Sequence, residues 1–135
     1  MEGELLHREL TFKIRGLLYK VHNELGHYRN EQQYGDALER HLKENNIPFQ
    51  REYVLPVGFA GERSGRCKVD LLIESKIILE LKCVRLLSPD HYYQCQRYLQ
   101  SACLDLALLI NFRSNLITIR RVLNVQGYQK NKPQN

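Results

Sequence analysis

The stretch from Val69 to Lys82 constrains this chain more than any other: Val69-Asp70-Leu71-Leu72-Ile73-Glu74-Ser75-Lys76-Ile77-Ile78-Leu79-Glu80-Leu81-Lys82. Two runs rich in leucine and isoleucine, joined by the polar triplet Glu74-Ser75-Lys76, predict an antiparallel hairpin. With Ser75 at its centre, Asp70 and Glu80 lie five residues away on either side. They then face each other on one side of the sheet with Cβ atoms roughly 4.5–5.5 Å apart. Opposed like charges within apolar runs destabilise a sheet unless a cation stands between them. Side chains on a strand repeat every two residues, so Lys82 emerges on the same face as Glu80.

A divalent metal is the natural cation. Two hard carboxylate oxygens completed by waters are how proteins hold Mg²⁺, and such an ion lowers the pKa of a bound water. A lysine at the same point can orient that water or stabilise charge developing on a phosphate. The competing reading makes Glu80 and Lys82 an exposed polar edge, but an exposed face would carry polar residues at more positions of these runs.

These residues also carry a resemblance. Asp70 followed at a distance by Glu80-Leu81-Lys82 resembles the signature of the PD-(D/E)XK nuclease superfamily, with Val69 standing where that name has its proline. The similarity continues through Val21 to Gly26, Glu31 to Tyr34, Asn46 to Phe49, Gln94 to Tyr98 and Leu109 to Phe112. From about Leu10 to Val122 the chain resembles the GxxExxY family of small PD-(D/E)XK nuclease-like proteins. Glu31 and Tyr34 match that family's name motif, whereas Tyr28 stands where it has glycine. The resemblance implies a restriction-endonuclease-like αβββαβ core: a mixed sheet flanked by helices, here with an extra N-terminal helix.

Periodicity leads to the same α/β order independently. Leu10, Ile14, Leu17, Leu18, Val21 and Leu25 recur at helical spacing, with Gly26 as a stop. A second helix is predicted from Glu31 to about Asn45, with Asn30 as its cap and Tyr34, Ala37, Leu38, His41 and Leu42 on its apolar side. An extended segment over Arg51 to Phe59, a glycine-rich turn at Gly61 to Gly65 and the hairpin follow. Ser88-Pro89-Asp90 opens a helix that should reach about Cys103. Leu106 to Phe112 and Leu116 to Val122 complete the strands.

With 135 residues the chain has the size of one domain. That domain is placed at residues 1–125, and the polar run 126–135 is expected to be disordered. No apolar run approaches the ~20 residues that span a bilayer, and Met1-Glu2-Gly3-Glu4 does not open like a signal peptide. A cytoplasmic protein without a membrane partner is expected. Cys67, Cys83, Cys95 and Cys103 lack C-x-x-C spacing, so they read as reduced, mostly packed thiols rather than a zinc site. The net charge of +5 favours a polyanionic partner, provided that folding gathers some of the scattered arginines near the acidic pair.

Other positions join the candidate site. Glu31 lies one turn before Tyr34 on the same side of its helix, where a carboxylate either faces a metal or complements the helix dipole. The resemblance tips this toward a metal ligand. Gln94 and Tyr98, four residues apart, resemble the last motif of RecB-type nucleases and would touch a phosphate or fix Lys82. His91 begins that helix and could reach a phosphate, while Tyr34 would support the site. His22 and His41 fit core-edge positions better than catalysis.

The reading is a Mg²⁺-dependent nuclease in which Mn²⁺ could substitute, acting on nucleic acid with DNA ranked ahead of RNA. Asp70, Glu80 and the Leu81 carbonyl would bind the ion, Glu31 would add a direct or water-mediated ligand, and Lys82 would activate the attacking water. The alternative is a nucleic-acid-binding or partner-binding protein that keeps the fold without cutting. A chain with no separate recognition module leaves room for a homodimer or a partner subunit.

Overall fold

The computed structural model describes residues 6–126, so most of the polar tail lies outside the described residues. Helix α1 (Arg8–Leu25) buries Ile14, Leu17, Leu18 and Val21 along one stripe. It stops at Gly26, which takes φ 76° and returns its N–H to His22 O. Helix α2 (Glu31–Glu44) opens on a reciprocal capping box: Asn30 accepts from Gln33 N while the Gln33 side chain accepts from Asn30 N. Strands β1 (Phe49–Val54), β2 (Lys68–Ile73) and β3 (Ile77–Lys82) follow, then α3 (Pro89–Ala102), β4 (Leu106–Asn111) and β5 (Thr118–Leu123).

The five strands form one sheet in the order β1-β2-β3-β4-β5. Only β3 and β4, joined by the α3 crossover, run parallel. Alternation along the strands divides the core in two. Leu71, Ile73, Ile77, Leu79 and Leu81 pack with α1 and α2, whereas Leu72, Ile78, Ala107 and Leu109 pack with α3. Glu80 and Lys82 share the parity of Ile78, and so belong to the α3 side. This is the mixed sheet with helices on both faces that the sequence predicts, the extra helix first.

The first strand departs from its predicted bounds. It begins at Phe49, opposite Ile73, and ends at Val54 rather than Phe59. Pro56 lacks the N–H a ladder needs. Gly58 lies so close to α3 that a Cβ there would stand 2.9 Å from Ser101 Oγ, and the chain leaves the sheet to reach that place.

Candidate active site

The hairpin turns where expected. Glu74 and Ser75 take φ of 51° and 56°, and Lys76 N donates to Ile73 O at 2.9 Å. Leu71 pairs with Leu79, Leu72 with Ile78 and Ile73 with Ile77, a register that carries on to Asp70 opposite Glu80. The regular pairing stops one step short of the carboxylates, and side chains replace the ladder. Asp70 N donates to Glu80 Oε2 at 2.8 Å, and Leu81 N donates to Asp70 Oδ2 at 2.7 Å. Pairing with β1 also skips Asp70: Arg51 pairs with Leu71 and Tyr53 with Val69, while Glu52 between them takes φ 50°. A positive φ at a non-glycine residue is a strained backbone, here set against the candidate site. Each carboxylate is thus held by one oxygen against the opposite strand, leaving its second oxygen for another partner.

Burial decides the electrostatics. Glu80 is 3% exposed, and that burial, followed by the charge of Asp70, pushes its carboxyl up to about 8. Burial also raises Asp70. The nearest cation is Lys82, whose Nζ lies 3.8 Å from Glu80 Oε1 and donates to Gln94 Oε1 at 2.8 Å. Gln94, one turn inside α3, therefore reaches the site and fixes the lysine. Tyr98 follows one turn later at 9% exposure, and burial with the nearby Glu80 charge pushes its phenol up to about 12. It remains protonated at neutral pH.

Glu31 approaches from α2, beyond the other face of the sheet. Its Oε2 accepts from Cys83 N at 3.2 Å, directly after Lys82. It shares with Asp70, Arg51 and Glu52 a crevice of about 30 Å³, room enough for a water. Among the described residues no three His, Cys, Asp or Glu side chains are grouped to hold an ion. Arg51 stands at the crevice but is engaged by Asp36 at 2.6 Å and Glu39 at 3.3 Å.

Two further expected residues make bonds within the fold. Tyr34 is fully buried, stacks on Phe112 with centroids 4.1 Å apart and donates to Gly26 O, so it braces the α1–α2 turn from within the core. His91 accepts from Ser88 N at 3.0 Å through Nδ1, which commits that nitrogen to the start of α3. His22 and His41 are core-edge residues as expected, each 8% exposed. Of the thiols, read as mostly packed, Cys95 is buried, Cys67 and Cys83 are partly buried and Cys103 is exposed.

Asn111 is the residue that sequence reasoning passed over. It is paired with Lys82 across the β3–β4 ladder and is 3% exposed. Its Oδ1 accepts from Val84 N at 3.1 Å and Arg113 N at 3.2 Å, and its Nδ2 donates to Val84 O at 2.8 Å. Together with Phe112 N, which donates to Lys82 O at 3.0 Å, it fixes the chain leaving β3 and so the backbone beneath Lys82. The sequence signal was a polar residue inside the apolar run from Leu106 to Phe112, where a buried amide needs partners. Asn111→Ala should cost about 2–4 kcal/mol in urea denaturation, because it strands buried backbone groups. A loss below about 0.5 kcal/mol would mean that water replaces the amide.

The donor set fits a hard divalent cation. Two carboxylates share one ammonium that Gln94 already engages, and their free oxygens are of the type Mg²⁺ prefers. A buried carboxylate pair with an adjacent lysine, where regular β2–β3 pairing stops in a mixed sheet, is an arrangement that metal-assisted hydrolysis can use. A family model for the PD-(D/E)XK nuclease superfamily matches residues 8–122, and the chain belongs to that superfamily. Comparison with curated proteins found no match, and neither did comparison with solved structures.

Proposed function

We propose that this nuclease-superfamily chain is a Mg²⁺-dependent nuclease that hydrolyses phosphodiester bonds, in DNA ahead of RNA, with Mn²⁺ able to substitute. The observation that carries the reading is the meeting of Asp70, Glu80, Lys82 and Gln94 at one point, from two strands and a helix. Asp70, Glu80 and the Leu81 carbonyl would hold the ion, with Glu31 reaching it through water. When bound, the ion supplies Lewis acidity and a more acidic water.

The chain's own groups do the rest. Lys82 gives one N–H to Gln94 and keeps two for a water or a phosphate oxygen. The protonated Tyr98 phenol is a donor beside Glu80, and the free Nε2 of His91 is available to a phosphate at the head of α3. The resemblance to the GxxExxY family supports the same assignment.

The test is incubation of the purified protein with single- and double-stranded DNA and RNA, with and without Mg²⁺ or Mn²⁺. Ion-dependent cleavage of DNA in preference to RNA is expected. If no substrate is cut with either ion, the second reading takes over, a binding protein on a nuclease fold that acts through a homodimer or partner subunit. The near-complete burial of Glu80 favours that reading.

A further inference from the structure

The connection between β1 and β2 lies on the side of the sheet that carries Glu80 and Lys82. Leu55 and Cys67, at its two ends, pack in the core cluster with Tyr98 and Leu99 of α3, and Leu55 N donates to Cys67 O at 2.8 Å. Ser101 of α3 anchors the span between them. Cys67 Sγ lies 3.7 Å from Ser101 Oγ, and Gly58 comes so near that a Cβ there would stand 3.2 Å from Ser101 Cα. Gln94, Arg97 and Ser101 fall at positions i, i+3 and i+7 of α3, one stripe of that helix. The stripe therefore runs from the side chain that holds Lys82 to the anchor of the connection, a rise of about 10 Å.

What the connection presents there suits one strand of nucleic acid. Glu62 N donates to Phe59 O at 3.2 Å, Gly61 takes φ 96° and the Glu62 carboxylate accepts from Gly58 N at 2.8 Å, so Phe59 stands at the head of a closed turn. It is nonetheless 66% exposed. Arg63 and Arg66 follow it, and they and Arg97 are exposed, with no carboxylate partner among the described residues. Glu62, the one acid of residues 56–67, is committed to the turn. Guanidiniums hold phosphates, and an open aromatic ring stacks on a base whose face is uncovered. Bases inside a duplex keep their faces against their neighbours, so the ring selects unpaired strand. We propose that the β1–β2 connection and the α3 stripe form a track for single-stranded DNA, with Phe59 stacking on a base and Arg63, Arg66 and Arg97 holding the backbone. This rests on the nucleic-acid reading of the site and gives it a strandedness, but it does not require cleavage.

The test is fluorescence anisotropy of the full chain, in chelator, with a labelled single-stranded DNA oligonucleotide and with its duplex. Wild type should bind the single strand more tightly. Phe59→Ala, at an exposed position, should weaken single-strand binding at least about fivefold and duplex binding less than about twofold. Replacing Arg63 and Arg66 together by glutamine should reduce the slope of log affinity against log salt by about 1.4 for the single strand, the share of two phosphates. No measurable single-strand binding, a Phe59→Ala affinity equal to wild type, an equal loss on both DNAs, or an unchanged salt slope overturns the proposal. Cleavage with Mg²⁺, followed separately, keeps the two readings apart. Phe59-dependent binding by a protein that never cuts sustains the track and refutes the nuclease, whereas cutting without any dependence on Phe59 does the reverse.

Discussion

Replacing Lys82 with alanine is expected to lower cleavage by at least about 100-fold while leaving binding of the ion and of nucleic acid nearly unchanged. The ammonium is held by Gln94 at 2.8 Å and stands 3.8 Å from Glu80, which under the proposed function sets it beside the reacting atoms rather than along a binding surface. An interaction realised mainly in the transition state appears in kcat and not in KM. Gln94→Ala should show a smaller loss of the same kind, because it frees the lysine without removing it. Single-turnover kinetics and fluorescence anisotropy separate the two effects. A Lys82→Ala protein that cuts at the wild-type rate, or fails only because it no longer binds nucleic acid, would remove the lysine from this role.

The second large effect concerns stability without metal. Glu80 has its carboxyl pushed up to about 8 from an ordinary value of 4.5, by burial and by Asp70. Between those two pH values the folded protein holds a proton that the unfolded chain releases. Stability must therefore fall as pH rises through this window, and it changes little below the lower value on account of this group. The loss should be on the order of a few kcal/mol by pH 8. Glu80→Gln removes the titrating group, so in chelator the variant should match wild type near pH 5 and exceed it near pH 8. Asp70→Asn should act in the same direction by relieving the repulsion. Ion binding needs the ionised carboxylate, so affinity should climb as pH approaches 8. Urea denaturation across pH 5 to 8.5, with calorimetry for the ion, tests both statements. Parallel stability profiles for wild type and Glu80→Gln would show that Glu80 is ionised in the fold throughout.

The hairpin and its chemistry were legible because both rest on short-range rules. Alternation and a polar turn set the register that opposes Asp70 to Glu80, and two-residue periodicity puts Lys82 beside them. The element order was legible for the same reason: helical stripes, the Asn30 cap and the Ser88-Pro89 opening are local signals. Composition and spacing also exposed the acidic pair as a charge problem in need of a cation.

The tertiary structure decided what depends on groups distant along the chain. Only the fold shows that the carboxylates replace ladder hydrogen bonds, that Gln94 holds Lys82, and that Glu31 reaches Cys83 from the opposite face. It also supplied Phe112 as the ring on which Tyr34 stacks, and gave Asn111 the chain end beneath Lys82. Periodicity sets which side of its own strand or helix a residue occupies. Which partner meets that side depends on how sheet and helices pack, and that packing also fixes how much water remains near each charge, and hence whether a carboxylate such as Glu80 keeps its proton.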